Sequence, residues 1–276
     1  MIQKNWKSSP KQLFKLLLFF FSIPTLAYEG KKNYLAEEAP LPLKDMKVVE
    51  KTGQSIDLAL QFKDSPGHTV SLKNLFTESA ILMTVVYYNC PSLCNFHLNG
   101  LFDAMQKIPQ TAGKDYTFIA VSMDASETPK LADNKKTTYL KKFNRSGQKV
   151  HFLTGESENI KKLTKSLGFP FRWDEATNQF AHSPVAYLLS PKGQILRYLY
   201  GVEFKPETLR LSLVEASQGR IGTITDRIRL FCYRFNPGEN RYTLYAYNLM
   251  RAGAGFMAFT LLVTLVPYWI KERKLS

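Results

Sequence analysis

From Ser55 onward, the apolar positions of the chain fall into regular patterns. "SIDLALQF" alternates apolar and polar residues as a strand covered on one face does, "DSPGH" is turn-forming, and "TVSLKNLF" reads as a second strand entering a short turn. "ILMTVVYY", residues 81–88, is an unbroken β-branched and aromatic run, the pattern of a strand covered on both faces. "LCNFHLNGLFDAMQKI" then places Leu93, Phe96, Leu101, Phe102 and Met105 at helical spacing. "YTFIAVSMD" predicts a second buried strand, and "TPKLADNKKTTYLKKF" a second helix with Pro129 near its first turn, where the missing N–H costs nothing. "VHFLTG" is a third short strand, followed in "SENIKKLTKSLGF" by a helix capped by Ser157 and stopped at Gly168. "PVAYLLSPKGQILRYLYG" reads as a hairpin turning at "SPKG", and "KPETLRLSLVEASQG" as the last helix of the series.

Strands alternating with helices and closed by an antiparallel hairpin argue for an α/β fold over residues 55–218, a mixed sheet of thioredoxin type flanked by helices. Residues 28–54, with Pro40, Pro42 and mixed charge, read as an extended arm. Both ends of the chain are apolar in a different way. Lys4, Lys7, Lys11 and Lys15 precede an apolar run from Leu16 to Phe21, then Pro24, Thr25 and Ala27, the order of a secretory signal over residues 1–27. Ala252 to Ile270 holds no charged residue, and at 1.5 Å per residue it reaches about 28 Å, close to the thickness of a hydrocarbon core. Tyr268 and Trp269 sit where an aromatic belt anchors a span, and Lys271, Arg273 and Lys274 follow as a cytoplasmic stop within residues 271–276. The expected topology is a single-pass protein of the cell membrane, its main domain exported to the periplasmic or extracytoplasmic face and tethered by a C-terminal transmembrane helix.

The net charge of +14 resembles a nucleic-acid binder's until its distribution is read. Residues 1–27 carry +4, a connector at residues 219–251 carries six Arg against Asp226 and Glu239, and "KERK" adds +2. The remainder is only mildly basic, which excludes a nucleic-acid surface and leaves the connector arginines for lipid phosphates or a membrane protein.

Three cysteines, Cys90, Cys94 and Cys232, are too few for a disulfide scaffold. Cys232, beside aromatic residues, reads as packed. Cys90 ends a buried strand and Pro91 is expected to begin a helix, so Cys90 is placed as its N-cap with Cys94 one turn further on the same face. Helix-end amides favour thiolates there, and the spacing permits a disulfide when oxidised or chelation of a soft cation such as Cu(I) when reduced. Among the four histidines, His68, His97 and His151 read as surface or packing residues. His182 lies before the hairpin strand, in a loop that passes the N-terminus of the first helix in a thioredoxin-like sheet, and can complete a trigonal set with Cys90 and Cys94. Zinc with an open position, a thiol–disulfide oxidoreductase using Cys90 and Cys94 as its redox pair, and a peroxidase attacking through Cys90 are the competing chemistries.

"VVYYNCPSLC", "FIAVSMDASETPKLADNKKTTYLKKF", "VHFLTGESENIKKLTKSLGF" and "FAHSPVAYLLSPKGQILRYLYG", in that order, resemble the Sco/SenC family of membrane-tethered copper proteins over residues 41 to about 218. The resemblance implies a thioredoxin-like fold and copper ligands at Cys90, Cys94 and His182. It also implies delivery of copper to the binuclear copper centre of cytochrome c oxidase subunit II, or reduction of that centre's cysteines, with an upstream copper donor. The chain departs from the family in two respects. Its anchor is expected at the C-terminus, and it reads Asp124-Ala125 where many members have Asp-Pro. Asp124 is expected either near the site as a supporting group or as a helix cap.

Overall fold

The structure is a computed structural model and describes residues 46–76, 79–143, 149–217, 223–236, 239–244 and 246–273. The proposed signal, most of the arm and the last residues of the tail lie outside these.

Five strands form the central sheet, in the spatial order Val150–Leu153, Tyr116–Ser122, Ala80–Val86, Val185–Leu189 and Ile195–Tyr200. β3 (Ala80–Val86) and β4 (Tyr116–Ser122) are buried at every position, as their continuous apolar runs predict. β3 pairs parallel with β4, and β4 parallel with β5 (Val150–Leu153). On its other side β3 pairs antiparallel with β8 (Val185–Leu189), which turns into β9 (Ile195–Tyr200). Parallel neighbours need long crossovers. These are α2 (Leu93–Lys107) between β3 and β4, and α3 (Pro129–Phe143) between β4 and β5. α4 (Ser157–Leu167) follows β5, and α5 (Pro206–Ala216) packs on β3, β8 and α2. The family's expected mixed α/β sheet with flanking helices is the observed fold.

An aromatic cluster ties the layers together. Phe102 of α2 lies 5.2 Å from Phe118 of β4, 5.3 Å from Phe143 and 4.8 Å from Tyr139 of α3, ring centre to ring centre. Full burial of each such ring contributes about 1.5–3 kcal/mol.

Several local expectations are corrected. "SIDLALQF" and "TVSLKNLF" give only three-residue strands, β1 (Gln61–Lys63) and β2 (Thr69–Ser71), followed by a one-turn helix α1 (Leu72–Leu75). Of their remaining apolar residues, Ile56, Leu60, Leu72 and Phe76 are buried without a long ladder. Phe96, counted with the buried face of α2, is 61% exposed, and the position beside it, His97, is the buried one. α4 begins at Ser157, so Glu156 occupies the cap position, while Gly168 closes the helix in the left-handed conformation as expected (φ 65°). A Cβ at Gly168 would stand 1.9 Å from the Val49 carbonyl, so glycine also allows the arm to cross there, and the Val49 amide donates to the Gly168 carbonyl at 2.9 Å.

An unforeseen hairpin, β6 (Phe171–Asp174) and β7 (Gln179–His182), precedes β8. The connector is also structured. α6 (Ile224–Cys232) opens with a capping box between Thr223 and Asp226, and β10 (Tyr233–Asn236) pairs with β11 (Arg241–Leu244). Arg210 of α5 holds the buried Asp226 at 2.7 Å, and Asn240 exchanges hydrogen bonds with the Tyr200 backbone. Arg197 of β9 bonds Glu215 and lies 4.5 Å over the Phe235 ring. Arg229 and Arg241, two of the connector arginines left for lipid phosphates or a membrane protein, pair with Glu207 and Glu239. The chain continues into α7 (Ala246–Arg273), whose segment Met250–Pro267 is exposed throughout and is long and apolar enough to cross a membrane.

Candidate metal centre

The topology explains why residues 88 positions apart meet. β8 runs antiparallel to β3, with Ile81 opposite Leu189 and Thr84 opposite Ala186, so the start of β8 lies at the end of β3. β3 delivers Cys90 and Cys94 to that edge, and β7 delivers His182, its last residue, to the same place. Cys94 Sγ and His182 Nε2 are 3.3 Å apart, both side chains being buried.

Cys90 is not the N-cap that the sequence predicts. Ser92 holds that position and α2 begins at Leu93, leaving Cys90 in the preceding turn, folded over the helix end. The Cys94 amide donates to Cys90 Sγ at 3.4 Å, and the Cys90 amide bonds the Tyr87 carbonyl. Both cysteines are free thiols.

The two thiols are electrically unlike. Cys90 is pulled down to about 5, chiefly because the Cys94 thiol donates to it, with Tyr87 and the amides of Cys94 and Ser92 helping against the cost of burial. Cys94 is pushed far above the ordinary thiol range, first by that same bond to Cys90 and then by burial. The metal-free pair therefore holds one proton, on Cys94, near neutral pH.

His182 sits in an aromatic setting, with the Phe169 ring 5.7 Å and the Tyr87 ring 6.3 Å away. Burial lowers its proton affinity and keeps it neutral. Its Nδ1 lies 3.2 Å from the Ser183 carbonyl, which can only accept, so Nδ1 carries the hydrogen and Nε2 turns its lone pair toward Cys94.

Three residues that the sequence did not single out shape the cysteine turn. Glu127 accepts from the amides of Tyr88 (2.8 Å) and Asn89 (2.7 Å) and from the Ser122 hydroxyl (2.6 Å). Lys135 Nζ donates to the Tyr88 carbonyl (2.9 Å) and to Asn95 Oδ1 (2.6 Å), and Asn95 Nδ2 donates to the Cys90 carbonyl (2.8 Å). Burial raises the Glu127 carboxyl and lowers the Lys135 ammonium. Asp124 turns into its own loop instead, accepting from the Ser126 amide and hydroxyl. His68 lies in the turn after β1, where it faces Asp64. His151 is on β5 and His97 in the core.

The donor set suits a soft cation: a thiolate, a thiol that becomes one on metal binding, and a neutral imidazole. The buried Tyr87 hydroxyl stands beside Cys90 and is one of the groups that pull that thiol down. Among the described residues no three His, Cys, Asp or Glu side chains already stand as a closed cage. Cys94 stands between the other two: its amide donates to Cys90 Sγ, its sulfur lies 3.3 Å from His182 Nε2, and its single thiol proton serves one of these neighbours at a time.

The SCO1/SenC family model matches residues 49–216, well over half of the chain. The chain is similar to the SCO1 protein homolog of Bacillus subtilis (strain 168), at 29% identity over 151 residues, covering 52% of this chain and 74% of that protein. It is also similar to "Protein SCO1 homolog 1, mitochondrial" of Arabidopsis thaliana, 27% identical over 155 residues, spanning 54% of this chain but only 43% of the relative's length. A solved structure from Aquifex aeolicus VF5, of a protein proposed to transfer electrons, superposes with a TM-score of 0.53 at 26% identity, covering 60% of this chain and 94% of that one.

Proposed function

The chain belongs to the SCO1/SenC family, and on that premise we propose that it is a membrane-tethered copper-binding protein that carries one copper ion on Cys90, Cys94 and His182. It delivers that ion to the binuclear copper centre of cytochrome c oxidase subunit II. The observation that carries the reading is the 3.3 Å meeting of Cys94 Sγ and His182 Nε2, with Cys90 Sγ accepting from the Cys94 amide at 3.4 Å. Cys90 arrives as thiolate, Cys94 gives up its proton as copper enters, and His182 contributes the lone pair of Nε2. Release follows by exchange of these ligands for those of the partner. α7 spans the membrane and the domain faces the exported side, so donor and acceptor share one surface.

The test is Cu(I) affinity measured by competition with a chromophoric chelator. His182→Ala is expected to weaken binding roughly 100-fold or more. Unchanged affinity rejects His182 as a ligand.

The asymmetry of the thiols favours a second reading, reduction of the subunit II cysteines. Cys90 thiolate attacks a partner disulfide to form a mixed disulfide and expel one partner thiolate. Cys94, deprotonated, then attacks Cys90 sulfur and releases the second, leaving a Cys90–Cys94 disulfide and a reduced partner. Rapid reduction of a subunit II disulfide by metal-free protein, slowed by copper, supports this reading; no reduction at all excludes it.

A further inference from the structure

His182 is joined to the rest of the molecule through the short segment that links β7 to β8, and both sides of that segment are tied. On one side the Ser183 hydroxyl donates to the Met46 carbonyl at 2.7 Å, where the arm crosses. On the other, the Pro184 carbonyl accepts from the Gly201 amide at 3.0 Å. The Gly201 carbonyl lies 2.7 Å from Nδ1 of His97. His97 stands on α2 three residues after Cys94, so the helix that carries one thiol is linked through Gly201 and Pro184 to the segment that carries the imidazole.

The proton assignment at His97 is forced. A carbonyl only accepts, so Nδ1 carries the hydrogen toward Gly201. Nε2 then presents its lone pair to the Thr84 hydroxyl 2.9 Å away. The one hydroxyl proton of Thr84 has a second acceptor in the Val185 carbonyl at 3.1 Å, the first residue of β8. Nδ1 thus bears, through Gly201, on Pro184 two residues after His182, while Nε2 shares with Val185 the one proton of Thr84. The close approach is built into the sequence one turn on, since a Cβ at Gly100 would stand 1.9 Å from the Val202 carbonyl. The Phe204 ring closes over His97, 5.3 Å between centres.

We propose that His97 and Ser183 are positioning residues for His182, holding residues 182–185 between α2 and the arm so that Nε2 meets Cys94 before any ion binds. This rests on His182 being a ligand and adds that its placement is prepared in the metal-free protein. Ordering the ligand in advance removes an entropy cost from binding.

The experiment uses the full chain in detergent micelles, labelled with 15N-histidine, which gives four imidazoles to assign. In reduced, metal-free wild type, His182 is expected as a single Nδ1–H tautomer. His97→Gln loses the donor to Gly201, so His182 should show averaged tautomers, with Cu(I) affinity lower by about 10–100-fold. His97→Asn, whose amide nitrogen falls near the position of Nδ1, should restore both. Ser183→Ala, at the half-exposed end, should lower affinity by about tenfold or less. Urea unfolding and circular dichroism identify which variants are folded. A single His182 tautomer and an affinity within about twofold of wild type in folded His97→Gln and Ser183→Ala overturn the proposal. Should His97→Gln not fold, the same reading of Ser183→Ala decides it. A wild type without a tight Cu(I) site ends the copper reading alone, because the tautomer comparison still tests the positioning.

Discussion

The cysteine end and the imidazole end of the candidate centre are held by different kinds of bond. Around the cysteine turn the supports are ionisable side chains, the buried Glu127 under the Tyr88 and Asn89 amides and the half-buried Lys135 on the Tyr88 carbonyl. Around His182 they are neutral: a hydroxyl, three carbonyls and aromatic rings. Each environment favours the protonation state that a soft cation requires there, one thiolate beside fixed donors and one uncharged imidazole out of water. If the proposed three-ligand site is right, it is not uniform: each donor is prepared by the part of the chain that brings it.

Removing Cys94 should break the contrast most strongly. In Cys94→Ala the donor to Cys90 is gone, and the pH midpoint of Cys90 alkylation should climb from about 5 toward the ordinary thiol value of 9.0. Cys94→Ser keeps an O–H donor and should hold the midpoint low. Equal midpoints in the two variants would show that the bond between the thiols is not what sets Cys90.

Glu127→Ala comes next. It leaves two amides and a hydroxyl without their acceptor, and should cost about 2–4 kcal/mol in urea unfolding while leaving the His182 tautomer as it was. A change at His182 would mean that the two ends are not independently supported.

The same depressed thiol sets a pH dependence. The folded value of Cys90, about 5, lies below its unfolded value near 9, so its contribution to stability is complete above pH 9 and is lost as pH falls through 5. Unfolding midpoints of the reduced, metal-free protein should therefore decline from pH 9 to pH 5, and Cys90→Ala should flatten that slope. Smallest of all, Tyr87→Phe removes one helper of the thiolate and should move the alkylation midpoint upward by less than Cys94→Ala does.

The parts of this molecule that could be read in the sequence are those whose reasons are local. β3 and β4 announce themselves because a strand covered on both faces needs no polar alternation, and Gly168 because a left-handed residue closes α4. The cysteine spacing and His182 were visible as donor types, and the antiparallel register of β8 on β3 accounts for their meeting. What was hidden depends on contacts across the fold. Glu127 sits in "SETP", where it looks like a residue near a helix start; its task lies 38 and 39 positions away on Asn89 and Tyr88. Lys135 is one lysine among several on α3, distinguished only by the carbonyl it reaches. The helix start moved from Pro91 to Leu93 because the Asn95, Lys135 and Glu127 bonds hold the preceding turn in a conformation that helical spacing does not encode. In the connector a signal was present, Thr223 three residues before Asp226, and it does mark a capped helix.

The docked connector limits how the domain can search. β11 ends at Leu244 and α7 begins at Ala246, so one residue separates a hairpin fastened to β9 and α5 from the apolar helix. With that helix in a bilayer, as proposed, the domain has almost no slack line: it swivels about its anchor rather than roaming above the surface. Its encounters are then confined to neighbours diffusing in the same plane at a matching height, and lengthening the junction would trade that confinement for reach.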